Sequence, residues 1–501
     1  MYGPAHAILV LMKIVIGYPP LESSKGYACL GQNRQFQWVK TPWTAYPIVP
    51  AYAATLLKKA GHEVFWLDGI WGGQNYQQWE DELFKIKPDL LVLETKTPVV
   101  KRHWKIINQL KVNPLAGGEK LKIVLVGDHV TALPKESFEN SKVDYILTGG
   151  NYDFLLLNLC QHLTKNKKLE SGIWYREGSK IKNTGPFKLN HNLDKLPFID
   201  RDLTNWPLYA YKNSNYMRLP GTYTMFGRDC YWGRCTFCSW TTLYPGKNYR
   251  QMSVKRALDE VGHLIKEYGI REIMDDSGTF LVGDWLREFC RGMIKRGYSK
   301  KVRISCNMRF NSGLNKKDYQ LMGKAGFRFL LYGLESVNQE TLNRINKNLK
   351  VEQIEPALIW AKQAGLNPHL TVMIGYPWET KQDAQKTLKF ARKLFEKGLA
   401  DSLQATIIIP YPGTPLFKEA DEKGWLKILD WDKYDMRQPI LKTEMRDQEI
   451  KGLVQGLYKS IFSVQFVLRK IKEAFSDWDT FKYYVRFGLK FPSKLLDFRR
   501  K

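Results

Sequence analysis

The chain has 501 residues, with 77 Lys and Arg against 50 Asp and Glu, and 7 Cys. That length suggests roughly two to four domains, and a hydrophobic content of 44% with 25% charged residues excludes wholesale disorder. Seven Cys in so long a chain do not make a secreted disulfide framework, so a reduced, cytosolic compartment is expected, while the net charge of +27 admits nucleic acid, an anionic membrane or an acidic small molecule without choosing.

The apolar stretch Ala7–Ile16 is interrupted by Lys13 and is too short to span a bilayer. It lacks a basic region before it, so no signal peptide is expected, and the start is either Met1 or Met12. Apolar runs of strand length follow at Lys13–Gly17, Glu63–Leu67, Asp89–Leu93, Lys122–Val126 and Val143–Leu147. Helical patterns lie between them, at Pro50–Ala60, Trp79–Ile86 and Val100–Leu110. Short continuous apolar runs mark strands covered on both faces, so 1–165 reads as a Rossmann-like, doubly wound parallel sheet. Ligands bind such sheets beyond the carboxyl ends of the strands, where Tyr18-Pro19-Pro20, Asp68-Gly69, Thr95, Gly127-Asp128-His129 and Thr148-Gly149-Gly150 stand.

Residues 166–220 read as a basic linker with a hairpin over GIWYREGSKIKNTG. From 221 to 425 the alternation resumes, with strands expected at Thr222–Phe226, Glu272–Met274, Val302–Ser305, Phe327–Leu331, His369–Ile374 and Gln404–Ile409. Six βα units predict a partial TIM-like barrel, open on one side, with its chemistry at the C-terminal strand ends. Residues 426–501 read as helical, and 451–501 concentrate charge, with 12 basic and 4 acidic residues.

The densest chemical signal is GRDCYWGRCTFCSW from Gly227. Cys230, Cys235 and Cys238, with gaps of four and two residues, follow a predicted strand. Three clustered thiolates suit three irons of a 4Fe–4S cluster, leaving the fourth iron for a small ligand. Zinc is the alternative, but a structural site needs four protein ligands. The nearest His, His191 and His263, are 39 and 25 residues away. Cys160, Cys290 and Cys306 read as small buried apolar residues.

This loop resembles that of the radical S-adenosylmethionine (radical SAM) superfamily, although the usual first gap is three residues. Further segments agree in order. Tyr332-Gly-Leu-Glu335-Ser336 resembles the family's segment near the adenosylmethionine ribose and amino acid. Ile374-Gly375-Tyr-Pro-Trp-Glu379-Thr resembles its loop after the fifth strand, with Trp where Gly is usual. Ile409–Leu416 and the acidic turn Asp275-Asp276 match two more. The resemblance implies S-adenosylmethionine contacts from Phe237, Asp275, Glu335, Ser336, Gly375 and Glu379.

In the same light the first domain is similar to the cobalamin-binding domain preceding many such barrels. The resemblance assigns the strand-end residues Thr95 to Gly150 named above to cobalamin. The Asp-x-His-x-x-Gly motif that supplies a lower axial His is missing from 18–46, so no His ligand to cobalt is expected. His129 reads as a loop hydrogen-bonder, and Cys29 and Trp38 are candidates to face the lower side.

The expected activity is an enzyme that functionalises an unactivated carbon by methyl transfer or cyclisation, on a lipid-like, tetrapyrrole or natural-product substrate. A flavodoxin- or ferredoxin-type electron donor is implied. The alternatives are an RNA-modifying methylthiotransferase and a non-catalytic cobalamin- or zinc-binding protein. The first needs a second three-Cys cluster, whereas the N-terminal domain has only Cys29 and Cys160. Basic residues and aromatics interleave in 481–501, a pattern that suits an anionic bilayer or single-stranded RNA; the resemblance to cobalamin-type radical enzymes, which often act on lipids or tetrapyrroles, implies peripheral membrane contact rather than nucleic acid.

Overall fold

The structure is a computed structural model that describes residues 11–21, 23–30, 36–40, 44–114, 120–213, 215–246, 249–460 and 463–497. The expected N-terminal extension and the end of the basic tail lie outside these residues. The chain forms two compact units. One runs to Glu22 and adds Val49–His191 and Lys195–Trp206; the other joins Ser23–Ile48 and Asn192–Asp194 to everything from Pro207.

The first unit is a seven-stranded sheet. Its strands are β1 (Lys13–Tyr18), β2 (Glu63–Asp68), β3 (Leu90–Glu94), β4 (Lys122–Val126), β5 (Tyr145–Leu147), β6 (Ile173–Glu177) and β7 (Lys180–Asn183), in the order β2-β1-β3-β4-β5-β6-β7. The first five pair in parallel. All five residues of β3 are buried, as a strand covered on both faces must be. The hairpin expected inside a linker instead continues this sheet antiparallel from β5. It does so because the main chain of β5 pairs with Ile173–Tyr175, a contact that hydropathy does not encode.

The second unit holds six parallel strands in sequential order: β8 (Gly221–Thr224), β9 (Glu272–Asp275), β10 (Arg303–Met308), β11 (Phe327–Glu335), β12 (Asn367–Ile374) and β13 (Ser402–Ile407). The two end strands are not paired with each other, so the barrel is open. Its N-terminal end is tied by Glu272, which is fully buried. Glu272 accepts from the amides of Met217 and Arg218 at 2.8 and 2.9 Å, from the Ser305 hydroxyl and from the Arg328 guanidinium. That cluster serves stability, leaving the C-terminal end free for chemistry.

Cys29 and Trp38 lie on a two-stranded ribbon, Tyr27–Cys29 with Gln37–Val39, that belongs to the barrel unit. Three helices end the described chain, Asp447–Ser460, Val464–Ala474 and Trp478–Asp497.

Candidate functional site

Asp275 ends β9 and is fully buried. One carboxylate oxygen accepts from the Thr224 hydroxyl and the Phe226 amide, both at 2.9 Å; the other accepts from the Ser277 amide at 3.1 Å. Burial pushes its pKa up to about 6 against the pull of these hydrogen bonds. Both oxygens are thus engaged in clasping the end of β8 and the start of the cysteine loop. The loop also depends on Gly278, where a Cβ would come 2.8 Å from that of Cys230.

The loop then packs against a distant segment. The Thr236 amide donates to the Ile345 carbonyl at 3.1 Å, and the Trp232 indole to the Asn346 carbonyl at 2.6 Å. Cys230, Cys235 and Cys238 are free thiols, all partly accessible. Burial pushes the Cys235 thiol up, while the charges of Lys347 and Arg309 pull it back, and Cys230 lies close enough to repel a second thiolate. Among the described residues no three His, Cys, Asp or Glu side chains stand close enough to share one ion. A four-iron cluster takes one thiolate per iron, so it needs its ligands spaced rather than converged.

Around the loop stand the predicted strand-end residues. Glu335 ends β11 after a register shift and holds a left-handed backbone, with φ of 59°. Such strain in a non-glycine residue is kept where its surroundings over-determine it. Here Lys347 pairs with Glu335 at 2.8 Å, and the Thr371 hydroxyl donates to the other oxygen at 3.3 Å. Ser336 donates to Glu379 at 2.7 Å. Glu379 is 1% exposed, its second carboxylate oxygen has no close partner among the described residues, and burial pushes its pKa up to about 7 against the pull of the Ser336 and Thr341 hydroxyls. Gly375 has φ of 101°, a backbone conformation that needs glycine even though the space around it is open enough for a methyl. The Phe237 ring lies 6.0 Å from the Lys347 ammonium.

Three contributors escaped the sequence reading. Tyr376 is buried with a hydroxyl that has no partner among the described residues, and its pKa is raised first by burial and then by Glu335, Glu379 and Cys235. Lys347 and Arg309 come from segments without a motif. The departure at Trp378 is also explained. Its indole donates to Thr341 at 3.1 Å, its ring stacks near Tyr376, and Arg344 lies 4.0 Å over it.

In the first unit the sheet order places a switch point between β1 and β3, the crevice where open α/β sheets take ligands. Tyr18 and Glu94 end those two strands, and the Tyr18 hydroxyl donates to Glu94 at 3.0 Å. Burial raises the pKa of Glu94, opposed by nearby Lys96. Tyr18 is among the strand-end residues that the sequence points to, whereas Glu94 is not, although it too sits at a strand end that topology favours.

The predicted residues surround this pair. Thr95 is hydrogen-bonded to His103 at 2.8 Å. At Gly127, φ is 123° and any Cβ would collide with the Thr95 carbonyl. Asp128 accepts from the His129 amide and pairs with Lys96 at 3.7 Å. His129 is fully buried, with one ring nitrogen 3.2 Å from the Thr97 hydroxyl and the other 3.1 Å from Glu136. Thr148 instead donates to the Gly172 carbonyl at 2.7 Å and lines a cavity of about 540 Å³ with Thr131, Glu136, Trp174 and Phe187. Gly149, with φ of 80°, donates its amide to Thr131; Gly150 follows it in the same turn.

Residues 225–391 match the Radical SAM superfamily. The chain is 28% identical over 473 residues to the uncharacterized methyltransferase PH0819 of Pyrococcus horikoshii, covering 92% of this chain and 94% of that protein. It is 25% identical over 410 residues to the anaerobic magnesium-protoporphyrin IX monomethyl ester cyclase of Cereibacter sphaeroides, covering 79% of this chain and 63% of the cyclase. Its fold is similar to that of the cobalamin-dependent S-adenosylmethionine radical enzyme OxsB, solved with aqua-cobalamin and S-adenosylmethionine bound. The TM-score is 0.69 at 17% identity, over 98% of this chain and 72% of that one.

Proposed function

Starting from a chain whose residues 225–391 match the Radical SAM superfamily and whose fold is similar to that of a cobalamin-dependent member, we propose that it is an enzyme that functionalises an unactivated carbon, by methyl transfer or by cyclisation. The observation that carries this reading is the set of buried polar atoms beside the cysteine loop that have no close partner among the described residues: the Thr236 hydroxyl, the Tyr376 hydroxyl and one Glu379 oxygen. Such atoms cost roughly 1–3 kcal/mol each when nothing meets them, so a polar ligand beside the loop would offset a real penalty.

When bound, a 4Fe–4S cluster, S-adenosylmethionine and cobalamin supply reductive sulfonium cleavage, hydrogen abstraction and one-carbon transfer. Cys230, Cys235 and Cys238 would hold the cluster. Lys347 and Arg309 favour the thiolate form of Cys235, as cations beside a thiol do. Glu335, Ser336, Gly375, Tyr376 and Glu379 would orient S-adenosylmethionine. Glu379 holds a proton to higher pH than an ordinary carboxyl and so can donate a hydrogen bond as well as accept one. Phe237 and Trp378 present apolar ring faces that exclude water, while Asp275 positions the loop. In the first unit Tyr18, Glu94, Thr95, Gly127, Asp128, His129, Thr148, Gly149 and Gly150 would hold cobalamin. Both ring nitrogens of His129 are engaged by protein partners, so His129 would serve there as a hydrogen-bonding residue of the loop.

The reading includes a small-molecule or lipid-like substrate, an external flavodoxin- or ferredoxin-type donor, and a cytoplasmic site of action with peripheral membrane contact through the basic C-terminus. No helix among the described residues is long and apolar enough to cross a membrane. Anaerobic reconstitution tests the chemistry. The expected product holds about four iron and four sulfide per chain and cleaves S-adenosylmethionine under reduction. A chain with zinc and no iron, or with a cluster but no cleavage, would overturn it. Growth with cobalamin followed by a visible spectrum tests the first unit.

A further inference from the structure

The helix Val464–Ala474 is amphipathic in an inverted sense. Its inner face is anchored by polar and aromatic contacts: Phe466 packs 5.7 Å from Phe395, Arg469 donates to the Phe395 carbonyl at 3.2 Å, and Lys470 pairs with Asp401 at 2.6 Å. Its outer face carries Val464, Val467, Leu468, Ile471 and then Phe475, the i, i+3, i+4, i+7, i+11 pattern of one helical stripe. Trp478 extends the stripe. These six side chains are between 42% and 75% exposed. So contiguous an exposed apolar patch marks an interaction surface rather than the scattered apolar residues that any protein shows.

The surrounding charge selects the occupant. Lys472 is exposed beside the stripe, and the Lys482 ammonium lies 5.0 Å over the Trp478 ring, which itself stacks on Phe481 at 5.5 Å. A second copy of a chain with net charge +27, and net +8 over residues 451–501, would be repelled; an anionic surface is attracted. Exposed Trp and Phe flanked by Lys suit the headgroup boundary of a bilayer, where rings sit at the interface and ammonium groups reach the phosphates.

We propose that the face Val464–Trp478 docks on an anionic lipid surface, holding the barrel unit against it by an in-plane helix. This rests on the membrane contact proposed above but assigns it to the apolar stripe rather than to the tail 481–501. The stripe's lipid would be recognised by acidic headgroups and acyl depth together, with each Lys near the surface contributing about fivefold in partitioning.

The test is co-sedimentation of the full-length holoprotein with vesicles of phosphatidylcholine alone or mixed with phosphatidylglycerol, and cleavage of S-adenosylmethionine is measured on the same samples. Wild type should bind the anionic vesicles and release in high salt. Leu468→Ser with Phe475→Ser should lower partitioning at least about tenfold, because both apolar contacts are lost. The pair Lys472→Glu and Lys482→Glu should lower it about as much through charge while leaving the stripe intact. Both variants lie on the surface, so melting temperature and cleavage should match wild type. Binding that persists in the Ser variant but is lost on Lys490→Glu with Lys494→Glu would overturn this proposal and keep the broader membrane reading. A wild type that ignores anionic vesicles would overturn both and favour a protein partner. A dimer seen by light scattering that disappears in the Ser variant would overturn it in favour of self-association. Loss of cleavage with vesicle binding intact would count against the enzymatic reading alone.

Discussion

Replacing Glu379 by Gln removes a proton-binding group whose environment penalises its charge. In the unfolded chain this carboxyl titrates near 4.5, whereas in the fold burial pushes it up to about 7. Below the lower value both states hold the proton, and the group is neutral to stability. Between the two values the unfolded chain has lost a proton that the folded one keeps, so stability falls as pH rises. Above the higher value the full penalty is present. The gap corresponds to about 3 kcal/mol at most, at roughly 1.4 kcal/mol per pKa unit. Gln keeps an oxygen for the Ser336 hydroxyl and carries no charge. The variant should therefore match wild type below about pH 4 and exceed it by up to about 3 kcal/mol near pH 8. The assay is thermal unfolding of the cofactor-free protein across that range. The quantity read is the difference between the two proteins, because other groups titrate alike in both. At roughly 2–4 °C per kcal/mol, the difference should open by several degrees. A difference that stays flat from about pH 5 to 8 would refute the assignment of a raised pKa to this carboxyl.

Removing the carboxylate that ties the barrel's N-terminal end, Glu272→Ala, leaves Arg328 buried without its main partner and should cost about 3–5 kcal/mol in chemical denaturation, with cleavage retained at low temperature. Gly127→Ala forces a methyl against the Thr95 carbonyl in a left-handed backbone; it should destabilise the first unit by about 1–3 kcal/mol and lower bound cobalamin measured by absorbance. Tyr18→Phe removes a donor from buried Glu94, costs about 1–2 kcal/mol, and should weaken cobalamin retention without changing iron content.

The sheet and barrel were legible because their strands are short apolar runs covered on both faces, and β3 is the clearest case. The cysteine loop was legible because its chemistry is local in sequence. Contacts made across the chain were not. Lys347 reaches Glu335 and Cys235 from a loop whose sequence, INKNLK, carries no motif. Tyr18 and Glu94 meet across 76 residues, and only the strand order makes their pairing visible. An acidic turn at a strand end looks alike in sequence whether it meets a ligand or ties the chain, and only coordinates show that Asp275 accepts three hydrogen bonds from the neighbouring main chain and Thr224.

The hairpin that continues the first sheet also decides what that sheet leaves open. Its outermost strand, β7, is exposed along its whole length and carries Lys180 and Lys182 on one face. An unprotected strand edge is a template for pairing with the same edge of another molecule. Here a second copy would have to bring lysine against lysine to add its strand. The two basic residues therefore act as gatekeepers against edge-to-edge growth, so the parallel core behind them can remain strongly apolar without becoming a seed for aggregation.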